Sequence, residues 1–252
     1  MKKILTKVIG FLEDFDLEEE TAKIVGLTGK SITKLQGDIV ISLGGDGTLL
    51  HILSNLNKPV FGINCGGVGF LTAMEHSEDL FSAFKRLESK NYELQKVHRI
   101  DAFINDLHIG TALNEVVLHS SRVAKIQGFE IKIDGSVADS FRGDGLIIAT
   151  PTGSTSYAMS LGGPIIYPTL ESHIIVPMAA YRIGARPLVI PSKYDITARI
   201  TGHPEAVMVI DGQDEIMIKK DDKLLFKQSK EPVELVRFED DFFDRVQNKL
   251  RS

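Results

Sequence analysis

Between residues 38 and 64 the chain reads DIVISLGGDGTLLHILSNLNKPVFGIN, and this stretch limits the fold more than any other. DIVISL is a short apolar run suited to a buried strand, and it stops where glycines surround one acid. TLLHILSNL then places apolar residues at helical spacing until Lys58-Pro59 ends it, and PVFGIN is a second buried-strand candidate. AKIVGL upstream is a weaker strand, and downstream the turn CGGVGF leads into the helical SEDLFSAFKRLES. Strands alternating with helices in this order indicate a parallel α/β sheet. Ahead of them Ile4, Leu5, Val8, Ile9 and Leu12 recur at spacings of one, three and four, so the chain is expected to open directly on an amphipathic helix.

The texture changes near residue 97. Short runs such as RIDAFIN, TALNEVVLHS, FEIKIDG and GLIIATP, then PLVIP, DITARI, AVMVIDG and KLLFKQ, are separated by turn residues and indicate an all-β region to about residue 228. EDDFFDRVQNKL recovers helical spacing through Phe242, Phe243, Val246 and Leu250. The expected organisation is an α/β domain over 1–96, an all-β domain over 97–230, and a segment over 231–252 whose helix packs back on the first domain.

Composition excludes several functions. A formal charge of −5, from 29 basic and 34 acidic residues, argues against a general nucleic-acid binder, which needs a basic surface to displace counterions. No long uncharged apolar run could cross a bilayer, and Met1 to Phe15, with its early acids, does not resemble a secretion signal. A cytoplasmic enzyme with no membrane partner is expected. Cys65 is the only cysteine, which rules out an intrachain disulfide and a cysteine-based zinc cluster, and its apolar flanks read as inert packing. The seven histidines show no HExxH spacing, so no protein-ligated metal is expected.

Asp46 poses the chemical question. Amides at a helix start favour an anion, yet an acid there would repel one, so Asp46 should serve a metal, a sugar hydroxyl or a proton transfer beside phosphates. Thr48 is placed to cap the following helix. GLTGKS at 26–31 is too short for a Walker A loop, because Ile24 stands where its first glycine belongs. Neither GGDGTL nor CGGVGFL completes GxGxxG. In TALNEVVLHS, Asn114 and Glu115 interrupt an apolar strand; a buried carboxylate without partners would cost several kcal/mol, so either a solvated edge or a ligand accounts for them. FRGDGLIIATPTGSTSYAMSLGGPII, residues 141–166, joins Arg142 and Asp144 to a hydroxyl-rich loop suited to phosphate and ribose oxygens, with Tyr157 able to stack on a base. Ser154 follows Gly153 directly and forms no GxSxG elbow.

Together GGDGTLL, GINCGGVGFL, LNEVVL, GDGLIIATPTGSTSYAMSLGGPII, ARPLVIP and VIDGQ resemble the NAD kinase family over most of residues 38–213. The long central motif is the specific one; lipid kinases and phosphofructokinases share the glycine–aspartate run. The resemblance implies an α/β domain with a parallel sheet followed by an all-β sandwich. It also implies phosphorylation of the 2′-hydroxyl of the adenosine ribose of NAD to give NADP. ATP or polyphosphate would be the donor, with Mg²⁺ or another divalent metal carried on it, in a homodimer or homotetramer.

Carried residue by residue, the resemblance makes Asp46 the group that takes or orients the hydroxyl proton and Gly47 the point of close approach to the dinucleotide. Asn114 and Glu115 match the substrate pair, and Arg142 and Asp144 match further contacts. Thr155, Ser156, Tyr157, Ala158, Met159 and Ser160 match the substrate loop, and His51, Lys125, Ala179 and Gln213 fall at positions where residue type varies. Two departures stand out: the family usually opens on a strand, and PMAAYRIG replaces the run that often precedes ARPLVIP. Two rivals remain: a lipid or sugar kinase with the same loop, and a non-catalytic NAD(H) sensor.

Overall fold

The structure is a computed structural model that describes residues 22–25, 39–55, 57–122, 124–182, 184–239 and 241–250, with backbone only for 22–25 and Asn55. The expected opening helix and the GLTGKS turn lie outside the described residues. In chain order the first elements are β1 (Ala22–Val25), β2 (Ile39–Leu43), α1 (Asp46–Asn55), β3 (Val60–Asn64), β4 (Met74–Glu75), α2 (Leu80–Glu88) and β5 (Glu93–Val97). Then come β6 (Ile100–Ile104), β7 (Leu107–Ala112), β8 (Glu115–Ser120), β9 (Gln127–Ile133), β10 (Ser136–Gly143), β11 (Gly145–Ala149), a 3-10 turn (Thr152–Thr155) and α3 (Tyr157–Ser160). The last are β12 (Ser172–Met178), β13 (Leu188–Pro191), β14 (Ile196–Ile200), β15 (Glu205–Ile210), β16 (Asp214–Lys219), β17 (Leu224–Gln228), β18 (Val233–Arg237) and α4 (Phe242–Leu250). They form two compact units, one running to Lys96 and resuming at Val233, the other spanning Val97–Pro232.

The first unit is built on a sheet ordered β1-β2-β3-β18-β5, with β4 beside β3. The pairs β1–β2, β2–β3, β3–β18 and β3–β4 are parallel, and Ile41 faces Phe61 while Leu43 faces Ile63 across β2–β3. Ile39, Ile41, Leu43, Phe61 and Ile63 pack with Leu80, Ala83 and Phe84 of α2, so that helix covers one face. α1 lies against the other: a Cβ on Gly62 would press into Leu49, which explains a glycine inside a buried strand. Asp79 caps α2 by accepting from the amides of Phe81 and Ser82. β18, VELVR, is a strand that the sequence reading did not single out.

The second unit is a sandwich of two antiparallel six-stranded sheets, β10-β9-β14-β17-β6-β7 and β13-β12-β11-β8-β15-β16. Phe129, Ile131, Ile196 and Phe226 from one sheet interdigitate with Val116, Leu118, Leu146 and Ile148 from the other. The second sheet also buries its far face, where Val117, Ile147, Ile174 and Val176 pack with Ala158 of α3. Burial on both faces is why VVL (116–118) and LIIA (146–149) run continuously apolar. One expectation is corrected: TALNEVVLHS is not one strand, because β7 ends at Ala112 in one sheet and β8 begins at Glu115 in the other. Among the described residues no helix is long and apolar enough to cross a membrane.

Candidate active site

In the first unit the Gly-rich turn joins β2 to α1 beside the end of β3. The amide of Gly44 donates to Ile63 O at 3.1 Å, and Cys65 N donates to Gly44 O at 3.3 Å. Helix α1 starts at Asp46, and Gly45 O accepts from the amides of Thr48 and Leu49. The expectation that Thr48 caps this helix is therefore corrected: it lies inside the first turn, with its side chain packed so near Gly44 that a Cβ there would collide with it. Both carboxylate oxygens of Asp46 are held, Oδ2 accepting from Phe70 N and Oδ1 from Leu71 N, each at 2.8 Å. Among the described residues these leave two of about four acceptor positions open on the carboxylate. A Cβ on Gly47 would meet nothing within 4 Å among the described residues, so none of these demands glycine there. His51 is exposed on the same helix.

In the second unit the chain crosses from β7 to β8 over Leu113 and Asn114, and one carboxylate organises the crossing. Asp211 accepts from the amides of Leu113 (2.7 Å), Asn114 (2.8 Å) and Glu115 (3.1 Å), while its own amide donates to Glu115 O at 3.0 Å. Burial pushes its pKa up, against the pull of those amides and of Arg99. Glu115, itself 6% exposed, accepts from Ser156 Oγ at 3.2 Å through Oε1. Burial first, and then the charge of Asp211, raises the Glu115 carboxyl to about 7. Acid and carboxylate thus coexist near neutrality, and the group can donate or accept. Glu115 Oε2 and Asn114 Oδ1 are buried with no hydrogen-bond partner among the described residues.

The hydroxyl-rich loop divides. Thr150 Oγ1 donates to Leu113 O and accepts from Gly153 N, and Ser154 Oγ bridges to both N–H and C=O of Ile166, so these two hydroxyls hold the loop itself. Thr155 Oγ1 donates to Thr152 O. Thr152 Oγ1 is buried without a partner among the described residues. Tyr157 is 43% exposed, leaving ring surface free to stack, whereas the Ala158 side chain is core. Met159 is half-buried and Ser160 exposed.

Arg142, Asp144 and Ala179 lie together at another edge, where Asp144 N donates to Met178 O and Tyr181 N to Arg142 O. Ala179 has φ +44° and is exposed, as are Lys125 and Gln213, the latter two residues beyond Asp211. Sequence reasoning missed Asp211. Its signal was in VIDGQ, an acid at a strand end before a glycine whose φ is +67°, although that motif was used only for Gln213.

An acid held at a glycine turn on a parallel sheet, and a sandwich with buried acceptors and an exposed tyrosine, are compatible with a phosphotransferase that uses an alcohol acceptor. Residues 8–92 match the family model described as ATP-NAD kinase N-terminal domain, and residues 113–238 match that described as ATP-NAD kinase C-terminal domain. The NAD kinase of Thermoplasma volcanium is 38% identical over 234 residues, 92% of this chain and 86% of that protein. That of Methanosarcina acetivorans is 40% identical over 237 residues, 91% and 86%. Among solved structures, an NAD kinase from Archaeoglobus fulgidus in complex with ATP is similar with a TM-score of 0.83 and 32% identity, over 98% of this chain and 94% of that one. The chain belongs to the ATP-NAD kinase family.

Proposed function

We propose that this chain transfers the γ-phosphoryl group of ATP to the 2′-hydroxyl of the adenosine ribose of NAD, giving NADP and ADP. As a family member it is a phosphotransferase, and its curated relatives are NAD kinases. The observation that carries the reading to particular residues is the adjacent pair of buried acceptors without a partner among the described residues, Asn114 Oδ1 and Glu115 Oε2. Leaving such groups dry costs about 1–3 kcal/mol each, which ribose hydroxyl donors would recover. Tyr157 offers its exposed ring to a base, and Arg142 and Asp144 are exposed polar residues at another edge of the same unit.

Asp46 takes the hydroxyl proton as the 2′-oxygen attacks the γ-phosphorus; the new O–P bond forms while the bond to the bridging β,γ-oxygen breaks and ADP leaves. Its two backbone hydrogen bonds aim the carboxylate without a covalent intermediate, so catalysis is positioning plus electrostatics. A divalent cation, Mg²⁺ by preference, would come with the triphosphate and offset its charge; among the described residues no group of His, Cys, Asp and Glu is arranged to hold an ion. Assembly as a homodimer or homotetramer in the cytoplasm belongs to the same proposal. The test is a coupled assay of NADP formation with ATP, other triphosphates and polyphosphate, each with Mg²⁺, Mn²⁺ or chelator. NADP should form with ATP and a divalent metal; phosphorylation of a lipid or sugar with NAD untouched would overturn the reading.

A further inference from the structure

The two amides that hold Asp46 belong to two successive trans peptide planes, Gly69–Phe70 and Phe70–Leu71. In a trans peptide the C=O and N–H point in opposite directions, so whatever grips the carbonyl also aims the amide. Both carbonyls are gripped by cations from α4. Lys249 Nζ donates to Gly69 O at 2.7 Å, and Arg245 Nη1 donates to Phe70 O at 3.0 Å. Two residues beyond Phe70, Arg237 Nη1 donates to Thr72 O at 2.7 Å, with Arg245 Nη1 a second donor at 3.4 Å. The cations are themselves fixed: Lys249 pairs with Glu75 at 2.7 Å, Arg245 with Asp241 at 2.9 Å, and Arg237 Nε donates to Gln95 at 3.0 Å.

We propose that Lys249 and Arg245 are positioning residues for the reaction: each clamps the far end of a peptide plane whose near end orients the Asp46 carboxylate. The proposal rests on Asp46 being the proton acceptor. The clamp acts by geometry and by polarisation, since a cation on a carbonyl strengthens the hydrogen bond its N–H donates. The loop needs such restraint, because Gly67 and Gly69 adopt φ of +82° and +60° and glycines tether a chain loosely. Burial and then Arg245 bring the Arg237 pKa down to about 9, which still leaves it charged at neutral pH. A purely structural role, tying α4 to the sheet, would make the same contacts and has to be separated by experiment.

The experiment measures kcat and KM for NAD and ATP in the full chain. Lys249→Met, at a partly exposed position, should lower kcat about ten-fold with both KM values within about two-fold, the pattern of an interaction expressed in the transition state. Lys249→Arg should restore most of it. Arg245→Met should cost about a hundred-fold, the order expected for a misplacement of about 1 Å, with a melting curve to show that it is folded. In an Asp46→Asn background Lys249→Met should bring no further loss, because the group it orients is gone. Equal losses in both backgrounds, or a raised KM with kcat unchanged, would overturn the clamp. Near-wild-type turnover by Asp46→Asn alone would instead remove the assignment of Asp46 on which the clamp rests.

Discussion

Replacing Glu115 with Gln should stabilise the protein, and increasingly so as the pH rises. Burial, followed by the nearby Asp211 charge, lifts the Glu115 carboxyl from 4.5 to about 7. The folded state therefore holds a proton that the unfolded state has released, and the linkage sign follows: the contribution is full below about 4.5 and is lost as the pH climbs through 7. At about 1.4 kcal/mol per pH unit the wild type should lose about 3 kcal/mol relative to Glu115→Gln at pH 8, and about 1 kcal/mol at pH 5. Gln can still accept from Ser156 through its carbonyl oxygen, which keeps the loop contact. At roughly 2–4 °C per kcal/mol, the melting temperatures should differ by about 6–12 °C at pH 8 and by a few degrees at pH 5. Paired melts of the unliganded proteins from pH 5 to 8 make the comparison, and taking the difference cancels other titrating groups. A difference that is flat with pH, or a less stable Gln variant at pH 8, would refute the buried-charge argument.

Asp46→Asn should lower turnover by about two to four powers of ten, as for a lost general base; because its NH₂ must face one of the amides of Phe70 and Leu71, steady-state kinetics should be accompanied by a loss of about 1–3 kcal/mol in a denaturant titration. His173, 1% exposed with neither ring nitrogen partnered among the described residues, is held down to about 4 by burial and then by His98. Its contribution is present above about 6.5 and lost as the pH falls through 4, so His173→Leu should gain up to about 3 kcal/mol on the wild type towards pH 4 in urea titrations, and a constant gap would contradict this. Tyr157→Ala should weaken NAD binding by about one to two powers of ten in calorimetry while stability moves by no more than about 0.5 kcal/mol, since the ring is 43% exposed; a collapsed melt with unchanged affinity would make the ring core. Gly47→Ala should fold normally, its Cβ meeting nothing within 4 Å among the described residues, and should raise the nucleotide KM where a ligand comes close.

Periodicity and punctuation made much of the architecture legible. DIVISL and PVFGIN form neighbouring parallel strands with α1 between them in sequence, the glycine turn stands where the apolar run stops, and SEDLFSAFKRLES is capped by its own Asp79. The runs after residue 97 form antiparallel sheets because alternation and turn residues act over a few positions, within reach of sequence patterns. VELVR escaped notice because five residues carry little periodicity, and its place in the parallel sheet is decided by β3, which precedes it by some 170 positions. TALNEVVLHS read as one strand because nothing local shows that Asp211, 97 positions from Asn114, gathers the amides at its centre and turns the chain from one sheet to the other.

For the site, the sequence alone determined the chemical inventory: an acid among glycines, the Asn114-Glu115 pair, a loop of hydroxyls and one tyrosine. Only the tertiary structure decided what each group is free to do. It committed the hydroxyls of Thr150 and Ser154 to the loop, left Glu115 Oε2 and Asn114 Oδ1 without donors among the described residues, and raised the Glu115 carboxyl towards neutrality. It also brought Arg245, 175 positions from Phe70, onto the peptide that holds Asp46. The physical reason is the range of the forces involved. Helix, strand and turn preferences arise between near neighbours along the chain, whereas desolvation and hydrogen-bond partnership depend on whatever the completed fold brings alongside a group.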